Sequence, residues 1–227
     1  MNSTRNSGGS EPVVPIITGP TGAGKSALAY RVSDCCPGFE LISADSRQIY
    51  KYLNIGTDKP SPDNIEKYKI HLVDFVEPGR RFTAFDFVAQ AKRSIQEIFS
   101  RGGRALICGG TGLYIKSLVE GIVELPDGDF TIRDNLEREA IEKGSKYLFE
   151  RLQQIDPPEA IKTHPNNIKR VIRALEIYYL TGRPKSEILA ASAREKGLYN
   201  FKVICFLPPR EKLYEQINQR VRQMLSD

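Results

Sequence analysis

The sequence predicts an α/β fold: a parallel sheet flanked by helices, with an all-helical lobe inserted into it. Three observations predict it. Short apolar runs alternate with stretches of helical periodicity. A glycine-rich loop joins the first apolar run to the first helical stretch. From about residue 124 to residue 196, helical segments follow one another with no strand between them.

"VVPIIT", Val13 to Thr18, reads as a strand with Pro15 near its start. The loop follows, and "KSALAYRVSD" then reads as a helix. "FELIS", Phe39 to Ser43, is a second strand, and "KIHLVDFV", Lys69 to Val76, is a third candidate. Thr83 and Asp86 have the spacing of a capping box before the periodic "AFDFVAQAKRSIQEIF". "RALIC", Arg104 to Cys108, is the next strand, broken by "GGTG". "DPP", "HPNN" and "TGRP" punctuate the helical stretch that follows. "FKVICFL", Phe201 to Leu207, restores a strand, and "REKLYEQINQRVRQML" a helix. The expected organisation is a disordered tail at 1–11, an α/β core at 12–123 and 197–227, and an inserted lobe at 124–196.

Composition narrows the class. A chain of 227 residues with 40% hydrophobic and 27% charged residues is ordinary for a globular protein. The net charge of +5 leans toward a polyanionic partner without requiring one. Cys35, Cys36, Cys108 and Cys205 lack zinc-site spacing, and only His71 and His164 could assist them, so reduced thiols are expected. No segment has the length or apolar character of a signal peptide or membrane span, which predicts a cytoplasmic protein away from membranes.

Gly19, Pro20, Thr21, Gly22, Ala23, Gly24, Lys25 and Ser26 satisfy G-x-x-x-x-G-K-[ST] between a strand and a helix, making the core P-loop NTPase-like. Such glycines let backbone N–H groups curl around phosphate oxygens, and the helix N-terminus adds partial positive charge. Lys25 should neutralise a terminal phosphate, and the Ser26 hydroxyl should ligand Mg²⁺. By itself the loop points to a nucleotide such as ATP. Asp45 falls just beyond the second strand, at the sheet edge where ligands bind. There a carboxylate can hold Mg²⁺, cap the next helix or take a proton from a nucleophile; residue chemistry does not choose. Thr111 stands at the end of a later strand and can face the same crevice or cap the helix after it.

"GPTGAGKSALA", "ELISADSRQIYKYLNIGTDKPS", "GGTGLYIKSLVEG" and "HPNNIKRVIRALEIYYLTGRP" occur in this order. With them the chain closely resembles the tRNA dimethylallyltransferases, the bacterial tRNA isopentenyltransferases, over residues 12 to 227. The resemblance implies transfer of a dimethylallyl group from dimethylallyl diphosphate to N6 of the adenine 3′ of the anticodon. In that chemistry the loop holds the departing diphosphate with Mg²⁺. It implies Asp45 as general base and Thr111 as the residue that orients the reacting groups. Asp45, Ser46, Arg47 and Gln48 match a segment contacting the target nucleotide. Thr111 and Arg133 match single tRNA contacts, and Lys169, Arg170, Val171, Ile172 and Arg173 match a segment lying against the anticodon stem-loop. On a helix from Asn166, Lys169 and Arg173 share a face, with Ile168, Ile172 and Leu175 free to face the lobe's core. A monomer is the expected state.

The match stops at "QRVRQMLSD". Family members run on through further helices with basic motifs, so the chain reads as C-terminally truncated. The resemblance assigns to those helices an arginine near the diphosphate, and an exposed face is expected where they would pack. Two other readings stand beside the transferase. One is a P-loop kinase for a small molecule or nucleotide, with Asp45 or Asp74 near Mg²⁺. The other is a non-catalytic RNA-binding remnant.

Overall fold

The computed structural model of the protein describes residues 12–191 and 199–226. The expected tail at 1–11 and the last residues of the expected lobe lie outside the described residues. The elements are β1 (Val13–Thr18), α1 (Lys25–Cys35), β2 (Phe39–Ser43), α2 (Pro62–Tyr68), α3 (Ala84–Ser100), β3 (Arg104–Gly109) and α4 (Gly112–Glu120). After them come α5 (Phe130–Lys143), α6 (Ser145–Ile155), α7 (Pro157–Lys162), α8 (Ile168–Thr181), α9 (Lys185–Ala191), β4 (Asn200–Cys205) and α10 (Arg210–Ser226). They divide into two compact units. One holds the described residues through Ile122 and those from Tyr199 onward; the other begins at Val123 and carries α5 to α9.

In the first unit all strand pairings are parallel, in the order β2-β3-β1-β4. Alternation along each strand explains why the strands read as unbroken apolar runs. Ile16, Ile42 and Ile107 face Phe87, Ile95 and Ile98 of α3 and Tyr114 and Leu118 of α4. Their neighbours Ile17, Leu41 and Leu106 face Ala29 of α1 and Tyr68 of α2. Each such fully buried side chain stabilises by roughly 1.5–3 kcal/mol, so both faces matter. The sheet thus has helices on both sides.

Helix α3 starts where its capping box does. Asp86 N–H donates to Thr83 Oγ1 at 3.2 Å, and Thr83 N–H donates to Asp86 Oδ2 at 2.8 Å. Between β2 and α3 the sequence misleads. Lys69 to Val76 is not a strand: Lys69, Leu72 and Asp74 take φ of 47, 61 and 58°, which an extended ladder cannot hold. The segment touches its neighbours through isolated bridges, Ile42 to His71 and Tyr50 to Val76. Helix α2 is an element the periodicity did not reveal. Its signal was Ser61-Pro62, with the Ser61 side chain accepting from Asn64 N–H and proline in the first turn.

Parallel strands put the ends of β1, β2 and β3 on one edge, which collects the loop at 19–26, Asp45 and Thr111. A β-carbon on Gly19 would collide with the Phe206 carbonyl, so the loop's entry runs too close to the chain leaving β4 for any other residue. The edge strand β4 is exposed from Lys202 to Cys205, and Leu207 beyond it is 70% exposed.

The helical unit packs Leu136 of α5, Leu148 and Leu152 of α6, and Val171, Ile172 and Leu175 of α8 into its own core. Asp156, almost fully buried, caps α7 through Glu159 N–H and also accepts from Ser186 N–H of α9. One side chain therefore fixes the spacing of two short helices.

Candidate active site

The loop is built for an anion. Gly24, the residue capping α1, has φ of 83° and supplies no side-chain cap, so the first N–H groups of α1 stay open to a ligand. Lys25 folds back and donates from Nζ to the Pro20 carbonyl at 2.7 Å. Burial lowers the Lys25 pKa, opposed by the nearby Cys108 and Asp45. A bound diphosphate would favour the charged form and displace that single carbonyl contact. Burial pushes the Cys108 thiol up to about 11, keeping it neutral beside the lysine. Ser26 is exposed in the first turn of α1, and its hydroxyl forms no hydrogen bond among the described residues. A hard oxygen donor so placed fits Mg²⁺ completed by ligand oxygens. Among the described residues no cluster of three His, Cys, Asp or Glu could hold a metal by itself.

Asp45 and Thr111 are brought together by backbone. Ala44 N–H donates to the Cys108 carbonyl at 2.8 Å, and Thr111 N–H donates to the Ala44 carbonyl at 3.1 Å. Thr111 Oγ1 accepts from Ser46 N–H at 2.9 Å and does not cap α4. Of the two roles open to Thr111, the structure therefore has the one facing Asp45's turn. Asp45 Oδ1 accepts from Arg47 N–H at 2.8 Å and Gln48 N–H at 3.3 Å, capping the turn that follows β2. Asp45 Oδ2 takes no hydrogen bond from a described residue. One carboxylate oxygen is thus fixed and the other is left to a ligand.

Ser46 is half-buried and Arg47 is exposed on that turn. Gln48 is already occupied. Its Nε2 donates to the carbonyls of Thr57 at 3.2 Å and Asp58 at 2.7 Å, and its Oε1 accepts from Ser43 Oγ at 3.4 Å. Lys59, nearly buried, donates to the Tyr50 carbonyl, Asn54 Oδ1 and Asp74 Oδ1. These bonds explain the pattern "IGTDKPS": it is a knotted loop whose lysine anchors it. They also bind Asp74 to Lys59, so Asp74 is not the acidic partner that a kinase reading would need beside Mg²⁺.

In the helical unit, Lys169 and Arg170 are exposed at the start of α8. Val171 and Ile172 are buried in the core, so their side chains hold the helix in place. Arg173 is not a free cation as its spacing suggested: it pairs with Glu176, as does Arg133.

The model of a family described as IPP transferase matches residues 48–227. The chain belongs to the IPP transferase family. Curated relatives are named tRNA dimethylallyltransferase. That of Geobacter sulfurreducens is 42% identical over 98% of this chain and 71% of its own, and that of Acetivibrio thermocellus 45% identical over 93% and 68%. Among solved structures, the Bacillus halodurans tRNA isopentenylpyrophosphate transferase is 36% identical, with TM-score 0.57, covering 96% of this chain and 67% of that one. A eukaryotic dimethylallyltransferase captured acting on tRNA is 29% identical, with TM-score 0.76, covering 95% of this chain and 53% of that one.

One residue beside the loop of this IPP transferase chain was missed from the sequence. Arg220 of α10 lines a cavity of about 280 Å³ together with Gly22, Gly24, Lys25 and Ser26. It pairs with Asp58 at 3.2 Å and adds to the positive field at Lys25. A second cation therefore stands beside the loop within this chain, on α10. The signal was thin: an arginine in a polar helix lies far from the loop in sequence, and only the parallel pairing of β4 with β1 brings α10 back to it.

Proposed function

We propose that this chain is a tRNA dimethylallyltransferase that moves a dimethylallyl group from dimethylallyl diphosphate to N6 of the adenine 3′ of the anticodon, releasing diphosphate. The observation that carries the reading is the convergence of Lys25, Asp45 and Thr111 on one sheet edge within an IPP transferase chain. The donor's diphosphate lies in the loop, against the open N–H groups of α1, Lys25 and Arg220. The adenine leaves the anticodon-loop stack to reach Asp45.

In the transfer step the N6 nitrogen attacks C1 of the dimethylallyl group, and the bond from C1 to the diphosphate oxygen breaks. Asp45 Oδ2 accepts the N6 proton while Oδ1 keeps its two amide donors, so the base does not turn away as it is protonated. Such a base contributes ~10²–10⁴ in rate. Thr111 holds the Ser46 amide and so fixes the turn that carries Asp45. Lys25 and Arg220 stabilise charge growing on the leaving diphosphate, in a site whose donors are already placed. Mg²⁺, with Ser26 as its protein ligand, supplies further charge neutralisation when bound. Lys169, Arg170, Arg173 and Arg133 form the basic surface of the helical unit that suits a stem-loop backbone. A monomer is sufficient for each of these roles. The test is to mix the chain with prenyl-labelled dimethylallyl diphosphate and unmodified tRNA, and in parallel with labelled ATP. Label on tRNA supports the transferase; ATP turnover without it supports a kinase, and tRNA binding alone a remnant.

A further inference from the structure

Glu176 has no exposed surface, yet it carries a carboxylate in the middle of α8. Its Oε1 accepts from the Asp129 amide at 2.9 Å and from Arg133 Nη2 at 3.0 Å. Its Oε2 accepts from Arg133 Nη2 at 3.0 Å and from Arg173 Nη1 at 2.6 Å. Arg173 continues through Nη2 to the Pro126 carbonyl at 2.5 Å. Burial by itself would push this carboxyl up, but Arg173 and Arg133 outweigh it and hold it below the ordinary range. Gly128 makes room: a β-carbon there would sit 2.5 Å from Arg133 Nη2 and 3.0 Å from Glu176 Oε1.

For stability alone this is a poor device, because apolar residues in place of a buried ion cluster usually do as well or better. One carboxylate against two guanidiniums also leaves the cluster with net positive charge. The two arginine side chains are 38% and 27% exposed. Their bonds within the cluster leave Arg133 Nη1 and both Nε–H groups for something outside. Arg173 lies three and four residues after the exposed Arg170 and Lys169, on the same side of α8.

We propose that Glu176 is a positioning residue for RNA: it holds Arg133 and Arg173 as a pre-ordered pair whose outer donors meet backbone phosphate. The proposal rests on the transferase reading above. Pre-ordering removes the rotamer entropy a free arginine loses on binding.

The experiment uses the full chain and a fluorescent, unmodified tRNA anticodon stem-loop, titrated over a range of salt, with donor KM and thermal melting measured alongside. Gly128→Ala displaces the Arg133 guanidinium without changing any charge, Glu176→Gln loosens both arginines, and Arg133→Ala is the reference. Each is expected to weaken RNA binding about tenfold and to make the salt dependence shallower by about one phosphate contact, with donor KM unchanged. Combining Glu176→Gln with Arg133→Ala should cost less than the sum of the two, since only Arg173 is then left for Glu176 to hold. Wild-type affinity and salt slope in Gly128→Ala and Glu176→Gln, with only the melting temperature lowered, would overturn the positioning role and leave a structural clamp. Should Glu176→Gln not fold, Gly128→Ala decides by the same two outcomes. A wild-type chain that does not bind the stem-loop overturns the RNA reading itself, and the proposal with it.

Discussion

Glu40 and Asp45 stand at opposite ends of β2, and their surroundings differ in kind. Glu40, 5% exposed, accepts from Arg101 Nε at 3.0 Å and Nη2 at 2.5 Å, contacts His71 Nε2 at 2.9 Å, and has Lys69 at 3.6 Å. Arg101 foremost, with His71, brings its pKa down to about 2. It lines a cavity of about 410 Å³ beside Lys67, Lys69 and Arg101, larger than the one of about 280 Å³ at the loop. Asp45 has only backbone amides on one oxygen. The lesson is that cavity size does not mark the reactive end. At one end of the strand Glu40 is held by Arg101, Lys69 and His71, while at the other Lys25 and Asp45 form no salt bridge among the described residues.

That contrast can be broken from either end, and the largest effect belongs to Asp45. Asp45→Asn keeps an oxygen for the Arg47 and Gln48 amides but cannot take a proton. Transfer should fall ~10²–10⁴-fold in kcat, with tRNA affinity and melting temperature near wild type. Lys25→Ala should raise donor KM about 10–100-fold, the scale of a lost charge-assisted hydrogen bond, with tRNA affinity intact. Thr111→Val removes the acceptor for the Ser46 amide. It should cost about 1–3 kcal/mol in urea unfolding and lower kcat, since the turn under Asp45 loosens.

Glu40→Gln should sharpen the comparison in the opposite sense. It should lower stability by on the order of 2 kcal/mol while leaving kcat unchanged, because the end of the sheet it ties together carries no chemistry. The pH dependence follows with its sign. The Glu40 pKa is depressed from 4.5 to about 2, so its stabilisation is present above pH 4.5 and lost as pH falls toward 2. Acid unfolding monitored by circular dichroism should be less steep over that window in Glu40→Gln than in wild type.

Much of the first unit was legible because its signals are local. The alternation that buries Ile16 on one face and Ile17 on the other, the capping box at Thr83 and the loop all act within a few residues. Lys69 to Val76 failed because an apolar run says nothing about φ, and three left-handed residues bend it away from a ladder. At the site, the loop, Asp45 and Thr111 could be placed from strand ends alone. The second oxygen of Asp45, the engaged amide of Gln48 and the pairing of Arg133 and Arg173 with Glu176 could not. Those depend on contacts between elements distant in sequence, as does Arg220.

The central claim is that the loop holds a diphosphate that departs, while Asp45 takes the proton from the attacking amine. The most direct measurement is a quenched reaction of the full chain with unmodified tRNA and dimethylallyl diphosphate labelled in the prenyl group, run beside Asp45→Asn. The account predicts label on adenine N6 with one diphosphate released per transfer, and loss of both in Asp45→Asn despite normal tRNA binding. Equal transfer by wild type and Asp45→Asn, or phosphate passing from ATP to an acceptor with no prenyl group on tRNA, would contradict it.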